Sequence, residues 1–346
     1  MSPSLMSSKQ VVVVTGANSG VGLSIAQRLI SKSIEKQRPL TLVMACRNLK
    51  KGKQAIDQIC STYPLSSQSI CDVDLVEIDT SSVESVLNAA KEIQSRYSRL
   101  DRLFCNAGAM AIESLDFVGI FRGLLTHPIA FFESSEAMVQ RRGLVTTDGL
   151  GLTFQTNVFG HYLLVHKLES LMEATGGARV IWTGSSASQL EFTRTDYQHV
   201  LGDKPYESSK YIVDQISVPM DQRLSQRGIR CFVAEPGNVC SNFLSGLNLL
   251  WLQVLIYLVF YFCRVVLGMA RFTISPQSGC EACCYLSDAD GNKELLDSRL
   301  KYYSQVSRWG KPSVAAVPLA LNKNLSVFLV NKLDGLVQRF DKDDNQ

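Results

Sequence analysis

The chain has 346 residues, of which 46% are hydrophobic and 19% charged, enough for one large α/β domain with insertions. A formal charge of +3, with no Lys/Arg cluster interleaved with aromatics, excludes a nucleic-acid-binding surface. Ten cysteines without a secretory signal read as reduced thiols in a cytosol-facing protein. Cys280, Cys283 and Cys284 have no second Cys/His pair at ligand spacing and read as packing residues on one helix.

In chain order, the β-branched run Val11-Val12-Val13-Val14 predicts a short buried strand ending at Thr15. The next residues, Gly16-Ala17-Asn18-Ser19-Gly20-Val21-Gly22, complete the spacing T-G-x-x-x-G-x-G, and Leu23 to Ile30 continue with helical periodicity. A strand that ends in a glycine turn and opens a helix directs backbone amides and a positive helix end at a phosphate. Gly16 permits the tight turn, Gly20 the approach of a pyrophosphate, and Gly22 close packing of helix on sheet. Asn18, Ser19 and Val21 complete this cofactor cradle. Further strands are expected over Leu40–Ala45, Val73–Ile78, Arg102–Asn106, Arg179–Thr183 and Arg230–Glu235. Helical patterns lie near Ser19–Ser31, Leu49–Cys60, Ser82–Tyr97, Asp148–Glu173 and Tyr206–Gln226. The alternation predicts a single α/β domain, a Rossmann-type doubly wound parallel sheet with helices on both faces and right-handed crossovers.

The strand ending Met44-Ala45-Cys46 places Arg47 where such a fold meets the adenosine ribose. A carboxylate there selects the 2′-hydroxyl of NAD, whereas a guanidinium suits the 2′-phosphate, so NADPH is the expected cofactor. Asp79, closing the next strand, either bonds the adenine amino group or caps the following helix, a cap that Ser81 or Ser82 supplies equally well. Asn106-Ala107-Gly108 closes the fourth strand with small residues beside the cofactor. In Tyr206-Glu207-Ser208-Ser209-Lys210, the tyrosine and lysine stand one turn apart on one helical face. A free phenol titrates near about 10, and a nearby ammonium, with a positively charged nicotinamide ring in the oxidised complex, is expected to lower that value. Tyr206 is then fit to give a proton to a carbonyl oxygen, or take one in reverse, while Lys210 also bonds the nicotinamide ribose.

These motifs, with Asn157, the serines after the fifth strand and Pro236-Gly237, resemble the short-chain dehydrogenase/reductase family over about residues 10–240. Longer words resemble the 3-keto-steroid reductases of sterol synthesis, also described as type 7 17-beta-hydroxysteroid dehydrogenases. They are Met44-Ala45-Cys46-Arg47-Asn48, Phe154–His161, Val180-Ile181-Trp182-Thr183 and Lys204–Tyr211. The resemblance implies NADPH-dependent reduction of the C3 carbonyl of a 4-demethylated sterol intermediate. Reduction of estrone to estradiol is the alternative, and a catalytically silent NADP-binding scaffold is the reading from another class. It also implies that Asn157 bends its helix and holds a water linking Lys210 to solvent, while His161 and His166 read as structural. Partners so implied are a sterol or steroid substrate, a membrane surface and other sterol-synthesis enzymes, with a homodimer compatible. The place so implied is the endoplasmic reticulum membrane, with the catalytic domain facing the cytosol.

In the family a hydroxyl that orients the substrate carbonyl follows the fifth strand, a dozen or so residues before the tyrosine. Here Ser185 precedes Tyr206 by 21 positions, so Gln189–Asp203 is read as an insertion looping out. Ser185 is favoured by position, Ser186 stands next to it, and counting back from Tyr206 reaches Thr193. Pro219 is expected to kink or interrupt the catalytic helix, and Ser241 stands where a threonine often contacts the carboxamide. Phe243–Cys263 carries no charge over 21 residues. It reads as an interfacial or re-entrant hairpin opening the pocket to lipid, with a membrane span or a buried lid as alternatives. The chain is thus divided into a core at 10–240, a lid or membrane-associated segment at 243–271 and a C-terminal extension at 272–346. The Ala109–Thr147 insertion is expected to shape the pocket, and Phe328–Phe340 to form a terminal helix packed on the domain or touching membrane.

Overall fold

Four consecutive valines require a strand covered on both faces. In the computed structural model, which describes residues 9–63, 70–126, 138–240, 250–288 and 296–343, β1 (Gln10–Thr15) is such a strand. Val11 and Val13 enter one apolar layer and Val12 and Val14 the other, because successive side chains of a strand point to opposite faces. β2 (Leu40–Cys46), β3 (Cys71–Glu77), β4 (Arg102–Cys105), β7 (Ala178–Thr183) and β8 (Ile229–Glu235) complete the expected strands within two residues of their predicted ends.

Two further strands, β9 (Leu300–Val306) and β10 (Pro312–Pro318), extend this sheet. Its order is β10-β9-β8-β7-β4-β1-β2-β3, with β9 and β10 antiparallel and the other neighbours parallel. One face carries α1 (Gly20–Lys36), α2 (Leu49–Thr62), the short α8 (Pro276–Gly279) and α9 (Glu281–Asp288). Cys280, Cys283 and Cys284 are buried in that layer. The other face carries α3 (Val83–Arg96), α5, α6 (Pro205–Ser225) and α10 (Lys323–Asp343). Helix α5 is built from Leu152–Phe154, a π-helical turn over Gln155–Phe159, and Gly160–Glu173.

Helix α6 runs through Pro219 to Ser225, so the interruption expected there does not occur. Proline removes one helical hydrogen bond, and buried Val218, Met220 and Leu224 around it hold the helix against the sheet. The insertion after β4 contains the hairpin of β5 (Ile112–Leu115) with β6 (Met138–Gln140), and α4 (Phe117–Thr126) between them. The apolar insertion after β8 contains α7 (Leu250–Val265), of 16 residues. At 1.5 Å per residue it is about 24 Å long, short of the ~30 Å of a bilayer's hydrocarbon. No described helix is long and apolar enough to cross a membrane. Ser241 lies outside the described residues.

Candidate active site

The glycine turn has the backbone that the spacing demands. Gly16 and Gly20 adopt φ of +67° and +56°, a region open to glycine and strained for other residues. A Cβ on Gly22 would stand 2.4 Å from the Gly16 carbonyl oxygen and 2.5 Å from Asn106 Nδ2. Asn18 and Ser19 complete the turn, and α1 starts at Gly20 with Val21 next. Ser19 is its N-cap without a side-chain capping bond, and no acid occupies the first turn. The first amides of α1 therefore face the turn as anion donors.

Across the turn, Asn106 Nδ2 donates to the Thr15 carbonyl (2.9 Å), and Thr15 Oγ1 accepts from the amides of Asn106 and Ala107 (2.9 Å each). His161 Nε2 stands 2.9 Å from the same hydroxyl, and burial pushes this imidazole's pKa down to about 3. It is neutral and ties α5 to the end of β1, while His166 Nδ1 lies 3.5 Å from Glu169. Arg47, just past β2, is 77% exposed, and its guanidinium is 3.7 Å from Asp79 Oδ2. Asp79 Oδ1 accepts from the Ser81 amide (2.9 Å) and hydroxyl (2.6 Å), and the cap of α3 falls to Ser82. Gly237 takes φ of +72°, and the residues after α7 return to hold this turn, with Thr273 Oγ1 donating to the Pro236 carbonyl at 2.9 Å. Close glycine backbone, unfilled helix amides and an exposed guanidinium at the second strand together fit a nicotinamide dinucleotide.

The chemistry-bearing groups gather where β4 and β7 end against α6. Lys210 Nζ donates to the Thr183 carbonyl (2.8 Å) and lies 5.7 Å from the Tyr206 ring centre. Ser185 hydrogen-bonds Tyr206 through its side chain and accepts from the Ala187 amide at 3.2 Å. Ser186 follows half-buried, while Thr193 is exposed and paired with Thr195 at 3.0 Å on the loop beyond. Asn157 sits in the π-helical turn. Its Oδ1 accepts from the Ala109 amide (2.8 Å), and its Nδ2 donates to the Ala109 carbonyl (3.0 Å) and Ser209 Oγ (2.9 Å). It thereby fixes the backbone after Gly108, where a Cβ would stand 3.2 Å from Asn157 Oδ1 and 3.8 Å from Lys210 Nζ.

Burial dominates the titration of both central groups. It pushes the Tyr206 phenol up to about 12, against the opposing pull of the Ser185 hydrogen bond. It pushes the Lys210 ammonium down to about 8, with Asp214 resisting and Lys301 assisting. The expected lowering of the Tyr206 value draws on both the Lys210 ammonium and the oxidised nicotinamide ring, and among the protein's own groups burial is the largest effect on this half-buried tyrosine. A phenol held protonated is an acid, the state that reduction of a carbonyl uses.

Two residues in contact with the site gave no signal in the sequence. Gln140 on β6 accepts from the Tyr206 amide (2.9 Å) and donates to Glu207 (2.6 Å). It caps α6, whose own N-cap, Lys204, offers no side-chain bond. The second is Lys301, 116 positions from the Ser185 carbonyl it contacts. Only the fold brings either residue to the site.

The short chain dehydrogenase family model matches residues 10–248, and the protein belongs to that family. It is an oxidoreductase acting between CH–OH and C=O, and its fold binds a nicotinamide cofactor. More narrowly, it is 33% identical, over 94% of its length and 92% of the relative's, to the human 3-keto-steroid reductase/17-beta-hydroxysteroid dehydrogenase 7. It is 30% identical to the Saccharomyces cerevisiae 3-keto-steroid reductase over 88% of both chains. Among solved structures, the NADPH-dependent reductase YwfH of bacilysin biosynthesis superposes with a TM-score of 0.56 at 16% identity, over 83% of this chain and 94% of that one.

Proposed function

We propose that this protein reduces the 3-keto group of a sterol intermediate in sterol biosynthesis, with NADPH as reductant. The observation that carries the reading is the convergence of Tyr206, hydrogen-bonded to Ser185, with Lys210 5.7 Å from its ring centre. The substrate class is supported by relatives named 3-keto-steroid reductases that match nearly the whole chain. The glycine turn, Asn106-Ala107-Gly108 and Pro236-Gly237 would hold the reduced nicotinamide, which would supply a hydride for the carbonyl carbon. Tyr206 donates its proton to the carbonyl oxygen, and Ser185 donates a hydrogen bond to that oxygen as charge develops. Lys210 holds positive charge behind the phenol, and Asn157 fixes the backbone beside Lys210. The exposed Arg47 guanidinium, 3.7 Å from Asp79, favours the 2′-phosphate of NADPH. Within the single domain, 10–240 acts as the catalytic core, 243–271 as a membrane-facing lid and 272–346 as the segment that completes the sheet. A membrane-bound sterol and an endoplasmic reticulum location accord with that lid.

The second reading, reduction of a 17-keto steroid, is favoured by the double name of the human relative. NADPH oxidation by the purified full chain, offered a 4-demethylated 3-keto sterol and estrone in parallel, separates the two. Faster turnover of the 3-keto sterol is expected, with NADPH preferred over NADH and the preference lost in Arg47→Ala. Tyr206→Phe should lower turnover by at least about 100-fold while NADPH still binds. Preference for estrone would move the reaction to the 17 position. Unchanged turnover by Tyr206→Phe would refute the assignment of the acid.

A further inference from the structure

Directly behind the Ser185–Tyr206 pair lies a buried ammonium that no motif includes. Lys301 is on β9, outside the span that the family model matches, and pairs in register with Val233 of β8. Its Nζ donates to the Ser185 carbonyl (2.7 Å) and to Asp214 Oδ2 (2.8 Å), and Glu235 Oε2 stands 3.9 Å away. The Lys301 and Asp214 side chains are 9% and 10% exposed. Gly184 leaves room for the lysine stem, since a Cβ there would stand 3.0 Å from Lys301 Cε and 2.7 Å from Val233 Cγ1. Asp214 continues the face of α6 that carries Tyr206 and Lys210, one turn further on, and also accepts from Ser188 Oγ at 2.6 Å.

A single charged group thus ties the turn that bears Ser185 to the helix that bears Tyr206 and Lys210. A buried ion pair adds little net stability compared with a well-packed apolar pair, because desolvation offsets its attraction. What this pair does supply is direction. The ammonium fixes the Ser185 carbonyl, and therefore the course of the Gly184–Ser185 backbone, relative to α6. We propose that Lys301 is a positioning residue for the reduction, holding the Ser185 turn against Asp214 so that the Ser185 hydroxyl meets the oxygen that Tyr206 protonates. The role rests on the reading of Ser185 as the carbonyl-orienting hydroxyl.

A double-mutant cycle in the full-length enzyme tests it. Turnover of the 3-keto sterol at saturating NADPH is measured for Ser185→Ala, Lys301→Met, both together, and Lys301→Arg, with NADPH affinity as the check on folding. Ser185→Ala should cost about 100-fold in kcat, as the loss of an oxyanion donor does. Lys301→Met should cost about tenfold, because misplacement of a catalytic group lowers rate without touching binding. Added to Ser185→Ala, Lys301→Met should cost less than about twofold more, since coupled residues are not additive. Lys301→Arg, which keeps charge and donors, should recover most of the lost turnover. An equal loss from Lys301→Met in both backgrounds, or none in either, overturns the positioning role and leaves the Ser185 reading standing. Full turnover by Ser185→Ala overturns both. If Lys301→Met fails to bind NADPH, Lys301→Gln takes its place in the same cycle and is judged by the same coupling.

Discussion

Lys210 is a lysine kept in a place that penalises its charge. Fully enclosed, it is held at about 8 against an ordinary 10.5, burial being the largest cause and Lys301 adding to it. Between those values the unfolded chain carries a proton at this position that the folded chain has released. Stability therefore rises with pH across the window from about 8 to 10.5, the sign expected for a base whose folded value is depressed. Lys210→Met should lose that slope, which urea denaturation of both proteins at several pH values would reveal. A wild-type slope no steeper than that of the variant would mean that the ammonium is not desolvated as the structure has it. Turnover should follow the opposite course. It falls as pH climbs through about 8 and the ammonium is lost, long before the Tyr206 phenol titrates near 12. The two residues divide the work, because the phenol, its value raised, keeps its proton for transfer while the lysine supplies charge only where it is still protonated.

At the scale of elements, the catalytic helix is braced by a helix from the far end of the chain. Leu325, Leu329, Leu333, Val337 and Phe340 are buried along one face of α10. Gln215 of α6 joins them by donating to the Ala320 carbonyl (2.8 Å) and accepting from the Asn322 amide (2.8 Å) and Ser326 Oγ (3.0 Å). Leu329→Ala should cost about 2–5 kcal/mol of unfolding free energy, the usual range for an enclosed leucine. A loss below about 1 kcal/mol in urea titration would show that α10 lies on the surface instead. This helix was half legible, since its periodicity predicts an amphipathic stretch but not what it covers. The six parallel strands were readable because burial on both faces forces near-continuous apolar runs. β9 was not, because Leu300-Lys301-Tyr302-Tyr303-Ser304-Gln305-Val306 buries a lysine whose counter-charge sits on α6. β10 is an edge strand bounded by prolines at both ends, which reads as loop. The Ser185 proposal depends on position after a strand rather than on a count to Tyr206, and the two differ because 184–204 carries no regular element. Asn157 was visible as a polar residue in an apolar helix, yet its grip on Ala109 needed the π-helical turn.

Taken whole, the molecule carries exposed apolar stripes on two of the insertions that leave the C-terminal ends of the parallel strands. In α7 the exposed residues Val254, Tyr257, Leu258, Tyr261, Phe262 and Val265 recur at helical spacing and form a single outward stripe. The inward side is anchored, with Val259, Phe260 and Cys263 packed on Met269, Phe272 and Ile274. In α4, Val118, Phe121 and Leu125 are exposed at a similar spacing. The strands that feed these insertions, β4 and β8, are the ones followed by Asn106 and Pro236. A soluble protein rarely leaves such a stripe to water, and aromatics suit the boundary between headgroups and acyl chains. With only 16 residues, α7 suits lying in that boundary rather than crossing it. Replacing Val254, Leu258 and Phe262 by Ser should therefore release the protein from phospholipid vesicles in a flotation assay, with folding unchanged because these side chains touch no core. Turnover of a sterol delivered in vesicles should drop about tenfold or more, while the same sterol in detergent micelles is reduced as before, because only extraction from the bilayer depends on the stripe. If the triple variant floats as the parent does, the membrane reading fails. If it floats less but loses turnover equally in micelles, the stripe covers substrate rather than lipid, and α7 is a lid in the ordinary sense.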